Sequence, residues 1–272
     1  MSRVEAPFIT AVIREKEKSS FSDLHVSRIL NAPSVQEMRE VLMGTPYGIH
    51  LADGSSIPDG AMKFLEHEYV WLTEHLDNAE VVAFISDRYD ALHIALGLLA
   101  RTQGETTMPH IPKLGILSHA ILQEMIFDEV FLEKSTWSEI IKTQLDAIKD
   151  NSWTSSMLFE AMKIGLEEAL AYHAKTQFMK DIARITKEHH ESDSAIRESD
   201  EMPEDITAYE LSWDTSVIER AKTFTYEPVG YDPIVAYWML KELEVKNIRM
   251  LYAALSGGFS KEETRALIRN LA

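Results

Sequence analysis

The sequence predicts an all-α fold, and three observations lead there. Residues that cap helix starts precede apolar positions repeating with a 3.6-residue period. Glycine and proline gather between those stretches rather than within them. Strictly alternating segments bounded by turn signals are missing, which removes the usual evidence for strands. The one β-prone run, Val81 to Ile85, heads a longer helical pattern and is read as helix.

Taken in order, Ser34 and Glu37 form an S-x-x-E capping box for a helix carrying Val35, Met38, Val41 and Leu42, and Gly44-Thr-Pro-Tyr-Gly48 stops it. Asp53 to Gly60 reads as a polar turn region, after which Phe64, Tyr69 and Leu72 resume a helical stripe. A long helix is expected from Ala79 to Ala100. Thr136 to Glu139 reads as a second capping box, leading a helix that Asn151 to Ser156 breaks. A further helix is expected from Met157 to Glu188. The acid- and Ser-rich stretch from Glu188 to Asp205 reads as a mobile linker and an internal boundary. Asp232-Pro233 opens a helix with Asp as N-cap and Pro at the first helical position. That helix runs to Leu255 and ends at Gly257-Gly258. Ser260 to Glu263 caps a last short helix with Leu267, Ile268 and Leu271.

Composition narrows the function. The chain has 272 residues, 45% of them hydrophobic and 26% charged, which is the balance of a folded protein. With no cysteine, it has no disulfide, thiolate metal site or cysteine nucleophile, and a reducing compartment fits. The net charge of −17 argues against general nucleic-acid binding, which needs clustered Lys and Arg. The N-terminal stretch does not read as a signal peptide. The longest apolar runs, such as Ile234 to Leu240, fall well short of the ~20 residues that span a bilayer. Membrane association is therefore expected to go through a partner.

The two longest helices end alike. Asp90 and His93 stand three apart in one, Glu244 and Asn247 three apart in the other, and both lead to a glycine, Gly104 or Gly258. Three residues apart is one helix face. Asn247 shares its face with Leu240, Leu243, Leu251 and Ala254, so it needs a hydrogen-bond partner, either Glu244 or backbone of a neighbouring helix. His93 shares a face with Tyr89, Leu96 and Ala100, and Asp90 one turn back can serve it. The pattern fits an internal repeat, or two unrelated helices with satisfied core polar pairs.

The stretch Tyr231 to Arg249, with Tyr237, Lys241, Glu242, Glu244, Lys246, Asn247 and Arg249, followed by Gly257-Gly258 and the capped segment to Arg269, resembles the end of the C-type (or d-type) subunits of V/A-type rotary ATPases. Val26 to Leu30 and Glu40 to Gly48, with the turn Gly44-Thr-Pro-Tyr47, resemble that family's opening. Tyr89-Asp90-x-x-His93 resembles its first-repeat Y-D-x-x-N, with His in place of Asn. The middle repeat lacks a comparable signature. The resemblance implies pseudo-repeated helical bundles arranged as a funnel with a shortened middle repeat, divided as 1–104, 105–204 and 205–272. It implies a non-catalytic coupling subunit of a proton- or sodium-transporting ATPase, peripheral on the cytoplasmic face of the membrane. The implied partners are the central-stalk subunits and the membrane rotor ring, with no cofactor and no nucleic acid. A helical scaffold or adaptor sharing this fold without an ATPase role is the main alternative, and a helical-bundle metal-binding enzyme is the second.

Other chemistry is thinly supported by the sequence. A di-metal bundle needs two E-x-x-H pairs, and only Asp90-x-x-His93 approximates one, so no metal or catalytic residue is assigned. Glu188-His-His-Glu191 reads as solvated surface, and Glu66-His-Glu68 with Glu74-His75 as the wet face of one helix. Glu242 and Lys246 read as a solvated i,i+4 pair worth ~0.3–0.5 kcal/mol. Tyr237, Trp238, Tyr252, Trp153 and Trp213 are read as core.

Overall fold

The computed structural model describes residues 6–132, 135–198, 206–224 and 226–271. It is 73% helical with no strand among them, so the fold is all-α as the sequence predicts. In chain order the helices are α1 (Ala6–Glu17), α2 (Asp23–Leu30), α3 (Val35–Met43), α4 (Gly48–Leu51), α5 (Ile57–His75) and α6 (Ala79–Thr102). Then come α7 (His119–Ile126), α8 (Thr136–Lys149), α9 (Ser155–His173), α10 (Gln177–Glu198), α11 (Ile206–Phe224), α12 (Asp232–Gly257) and α13 (Lys261–Leu267). The chain forms two compact units. One combines residues 1–77 with 176–272, and the other is residues 78–175.

The discontinuous unit is built on α12. This helix packs against α1, α3, α5, α10, α11 and α13, which explains why nearly all of its faces are apolar. Trp238 is fully buried and its ring lies 5.6 Å from that of Tyr69 on α5. Gly258 stops α12 in the left-handed conformation at φ 73°, where glycine carries no Cβ penalty. Ser260 and Glu263 then form the expected capping box of α13 in both directions. Ser34 likewise caps α3 through the Glu37 amide.

The continuous unit, α6 to α9, packs α6 against α7, α8 and α9. Its core joins Ile94 and Leu98 of α6 to Leu122, Met125, Trp137, Ile141 and Leu158. Asn78 caps α6 by accepting from the Glu80 and Val81 amides. The long segment after α6 folds back on its own unit, burying Met108, Ile111, Leu114 and Leu117.

Several boundaries differ from the sequence reading, each for a local reason. Ser56 caps α5 by accepting from the Asp59 amide, with Pro58 in the first turn, so Ile57 to Gly60 is helix rather than turn. The helix expected from Met157 to Glu188 is two helices. Thr176 opens the second by accepting the Met179 amide at 3.4 Å. Residues 188–198 continue α10 and are not linker; residues 199–205 lie outside the described residues. Ser135 occupies the N-cap of α8, one residue ahead of the box read at Thr136. Asp232 is the first residue of α12, not its N-cap. Its carboxylate instead accepts the Phe178 amide at 3.1 Å, at the start of α10.

Gly115 is the tightest turn position. Its φ is +96°, and a Cβ there would lie 2.3 Å from Asp90 Oδ1. Gly115→Ala combines left-handed strain with this clash, so a loss of ~1–3 kcal/mol is expected in urea unfolding.

Candidate functional site

The buried face of α12 assembles a closed polar network inside an apolar core. Glu244 is 4% exposed. Its Oε1 accepts from the Phe21 amide at 3.1 Å and the Tyr47 hydroxyl at 3.0 Å, and its Oε2 accepts from Lys241 Nζ at 2.6 Å. Lys241 also donates to Ser20 Oγ at 2.7 Å, with its ammonium 5.6 Å from the Tyr237 ring centroid. One turn back, Tyr237 donates to Glu68 Oε2 at 2.8 Å. Glu68 accepts from Lys16 Nζ at 2.6 and 2.8 Å, and that ammonium sits 4.2 Å over Trp71. A buried carboxylate without donors would be costly, and each of these two has at least two.

The electrostatics agree with the geometry. Burial, followed by the neighbouring Glu244 carboxylate, pushes the Tyr47 hydroxyl well above its usual range. Burial and then Glu68 do the same for Tyr237. Both phenols therefore remain donors across the physiological range.

A second cluster lies one turn further along α12. Asn247 is 1% exposed and pairs with the backbone of Arg269 in both directions. Its Nδ2 donates to the Arg269 carbonyl at 2.8 Å and its Oδ1 accepts the Arg269 amide at 2.9 Å. The partner is thus backbone, as one of the two expected arrangements has it, but from the segment after α13 and not from Glu244. The Arg269 Nε donates to Asp214 Oδ2 at 2.6 Å, and Lys246 Nζ reaches the same oxygen at 2.7 Å. Lys246 is therefore tied to a fully buried acid on α11. Glu242 is half-buried and Arg249 is exposed.

The continuous unit holds the other two signature residues. Asp90 is buried and accepts the Ile116 and Leu117 amides at 3.3 and 3.0 Å, fixing the turn at Gly115. His93 is fully buried with neither ring nitrogen hydrogen-bonded, so Asp90 does not serve it as the spacing suggests. Burial pushes Asp90 up to about 7 and His93 down to about 4. Asp87, one turn before Asp90, is raised by burial and opposed by His173, whose Nδ1 lies 2.9 Å away.

Glu68 is the residue that sequence reading places wrongly. Its acid and His neighbours suggest a wet helix face, yet it belongs with the stripe Phe64, Leu65, Tyr69, Leu72 and is 6% exposed. That spacing is the signal that could have found it. Tyr47, Lys241, Asp214 and Arg269 carry none, because their roles arise between elements distant in sequence.

Residues 151–267 match the family model described as ATP synthase (C/AC39) subunit. Over that stretch, less than half of the chain, the sequence is similar to the C/AC39 family. The matched C/AC39 region runs from α9 through α13 and contains Tyr237, Glu242, Glu244, Lys246, Asn247 and Arg249; Asp90 and His93 lie outside it. No curated protein matches the chain. C/AC39 proteins are non-catalytic subunits of V/A-type ATPases. Among the described residues no helix is long and apolar enough to cross a membrane, and no group of three or more His, Asp or Glu side chains is placed to hold a metal.

These geometries set expectations for stability. Asn247→Leu strips the Arg269 backbone of both partners, and thermal or urea unfolding should record a loss of ~1–3 kcal/mol. Unchanged stability would mean that the Arg269 backbone finds other partners. A second expectation concerns pH. The folded pKa of Asp90, about 7, lies above its ordinary 3.8, so its stabilising contribution is complete below the unfolded value and is lost as pH rises through 7. His93 acts oppositely, its contribution being complete above 6.5 and lost as pH falls toward 4. Against the parent chain, Asp90→Asn should remove a decline on the order of a few kcal/mol between pH 4 and 8, on top of a constant offset. Urea midpoints across that range measure it; parallel curves for parent and variant would rule it out.

Proposed function

We propose that this chain is the coupling subunit of a rotary V/A-type ATPase, joining the central stalk to the membrane rotor ring during proton or sodium transport. The observation that carries the reading is the C/AC39 match over residues 151–267, together with the α12 signature inside it. The site geometry supports a mechanical role. Glu68 and Glu244 are engaged by internal donors, and their partners Tyr47 and Tyr237 are held as neutral phenols. Such groups offer neither a nucleophile nor a free base to a substrate.

The mechanism asks for a stiff body with two docking surfaces. Helices packed at crystal-like density transmit strain with little loss. In this reading α12 is the stiffening axis of its unit, because it binds α5 and the turns before α2 and α4 through side-chain bonds as well as apolar contacts. The chain sits at the cytoplasmic face and contacts the membrane through the ring.

The test compares the ATPase complex in sealed vesicles with and without this subunit. ATP hydrolysis by the head should persist without it, while ATP-driven ion uptake should fall to background and return when the purified chain is added. Uptake that is equally fast without the subunit would refute the coupling role. The purified chain alone should hydrolyse no ATP.

A further inference from the structure

The helix α2 is held to the core by little. Of its eight residues only Ile29 is buried, and Leu24 points outward at 67% exposed. It packs only on α3 and α13 to any extent. Clefts flank it on three sides. One of about 360 Å³ separates it from α3 at Ser27, Arg28, Glu37 and Val41. Another, of about 320 Å³, separates Val26 and Leu30 from Arg265 and Ile268. The third, of about 120 Å³, lies between Ile29 and the apolar wall of Leu251, Leu255 and Phe259.

Both ends of α2, by contrast, are defined. Phe21, immediately before it, is tied by its amide to Glu244 and packs edge-on to Tyr47 at 6.4 Å. Beyond the far end, Lys261 Nζ donates to Asn31 Oδ1 at 2.8 Å in an exposed position. The helix also stabilises its own first turn. His25 Nδ1 accepts the Ser22 amide at 3.0 Å, and the His25 ring stacks on Phe21 at 5.6 Å. The Ser22–His25 bond is internal to the segment, while the ring stack sits at the hinge beside the anchor. The element is therefore self-supporting, hinged on a rigid anchor, and pinned to the body mainly by one side chain.

We propose that α2 is a flap that opens as a unit while the α12-centred core stays folded. Opening withdraws Ile29 and uncovers Leu251, joining it to the already exposed Phe259 as one apolar surface. Local openings of this kind occur where few buried apolar contacts and many solvated backbone groups coincide.

The cysteine-free chain makes the test clean. Single thiols are introduced by Ile29→Cys on α2 and Ile248→Cys on α12, both at fully or nearly fully buried positions. Each is then labelled with a thiol reagent under native conditions. The Ile29→Cys thiol should react at least ~100-fold faster, at a rate nearly independent of low urea, because the opening exposes little surface. The Ile248→Cys thiol should follow global unfolding. Equal rates with equal urea dependence would overturn the proposal. Hydrogen exchange on the unsubstituted chain gives a second reading that no substitution can disturb. Amides 27–30 should exchange at least ~100-fold faster than amides 245–248, and equal protection would likewise overturn it.

Discussion

The discontinuous unit depends on how Glu244 is neutralised. A carboxylate of its size carries an effective burial penalty of several kcal/mol, which Coulomb attraction offsets only with good geometry and all lone pairs engaged. Here one ammonium, one phenol and one backbone amide meet that condition, and they come from three separate parts of the chain. Removing any of them would leave a buried charge short of a donor. The network therefore selects one arrangement of α12, the α1–α2 turn and the start of α4, where apolar packing alone would tolerate several. Glu68 on α5 repeats the device, with Lys16 from α1 and Tyr237 from α12.

Much of the chain is legible in the sequence where the deciding chemistry is local. The caps at Ser34, Ser260 and Glu263, the stop at Gly258 and the span of α6 follow from residues within one turn of the boundary. The errors fall where a distant partner decides. Asp232 looks like a cap for its own helix, yet its carboxylate serves the Phe178 amide at the start of α10. The stretch 188–198 has the composition of a linker but continues a helix, since its solvated face carries pairs such as Arg184 with Glu188 at 2.8 Å. The signature is readable as a pattern, and the burial of Asn247 follows from the apolar face it shares. What Asn247 holds is hidden, because the Arg269 backbone reaches it only after the chain reverses at Gly258 and α13.

The matched positions near the ends of α6 and α12 play different parts, although the two helices share one device. Each helix uses a buried polar side chain to fix the backbone of the segment that follows it. Asp90 accepts the amides of residues 116 and 117, and Asn247 grips both backbone groups of residue 269. The polar group differs, as does its distance from the segment it binds, so the two are comparable in function and not superposable in detail. His93, aligned with Asn247, does not share that role. Its unbonded imidazole is held neutral by burial, the reverse of what its position in the pattern suggests.

This arrangement bears on what the protein can do. A catalytic carboxylate needs access to substrate and a proton inventory that changes during turnover. Glu68 and Glu244 lack that access: both are buried among internal donors, and burial holds Tyr47 and Tyr237 in their protonated form. Buried ion pairs contribute little net stability compared with apolar packing, so their retention is better understood through the geometry they impose. In the proposed coupling role that rigidity would be an advantage, because slippage at α12 would dissipate rotation within the protein. The polar network and the matched C/AC39 stretch meet on the same helix. Stiffness at α12, rather than reactivity, is therefore the property that its buried charges select.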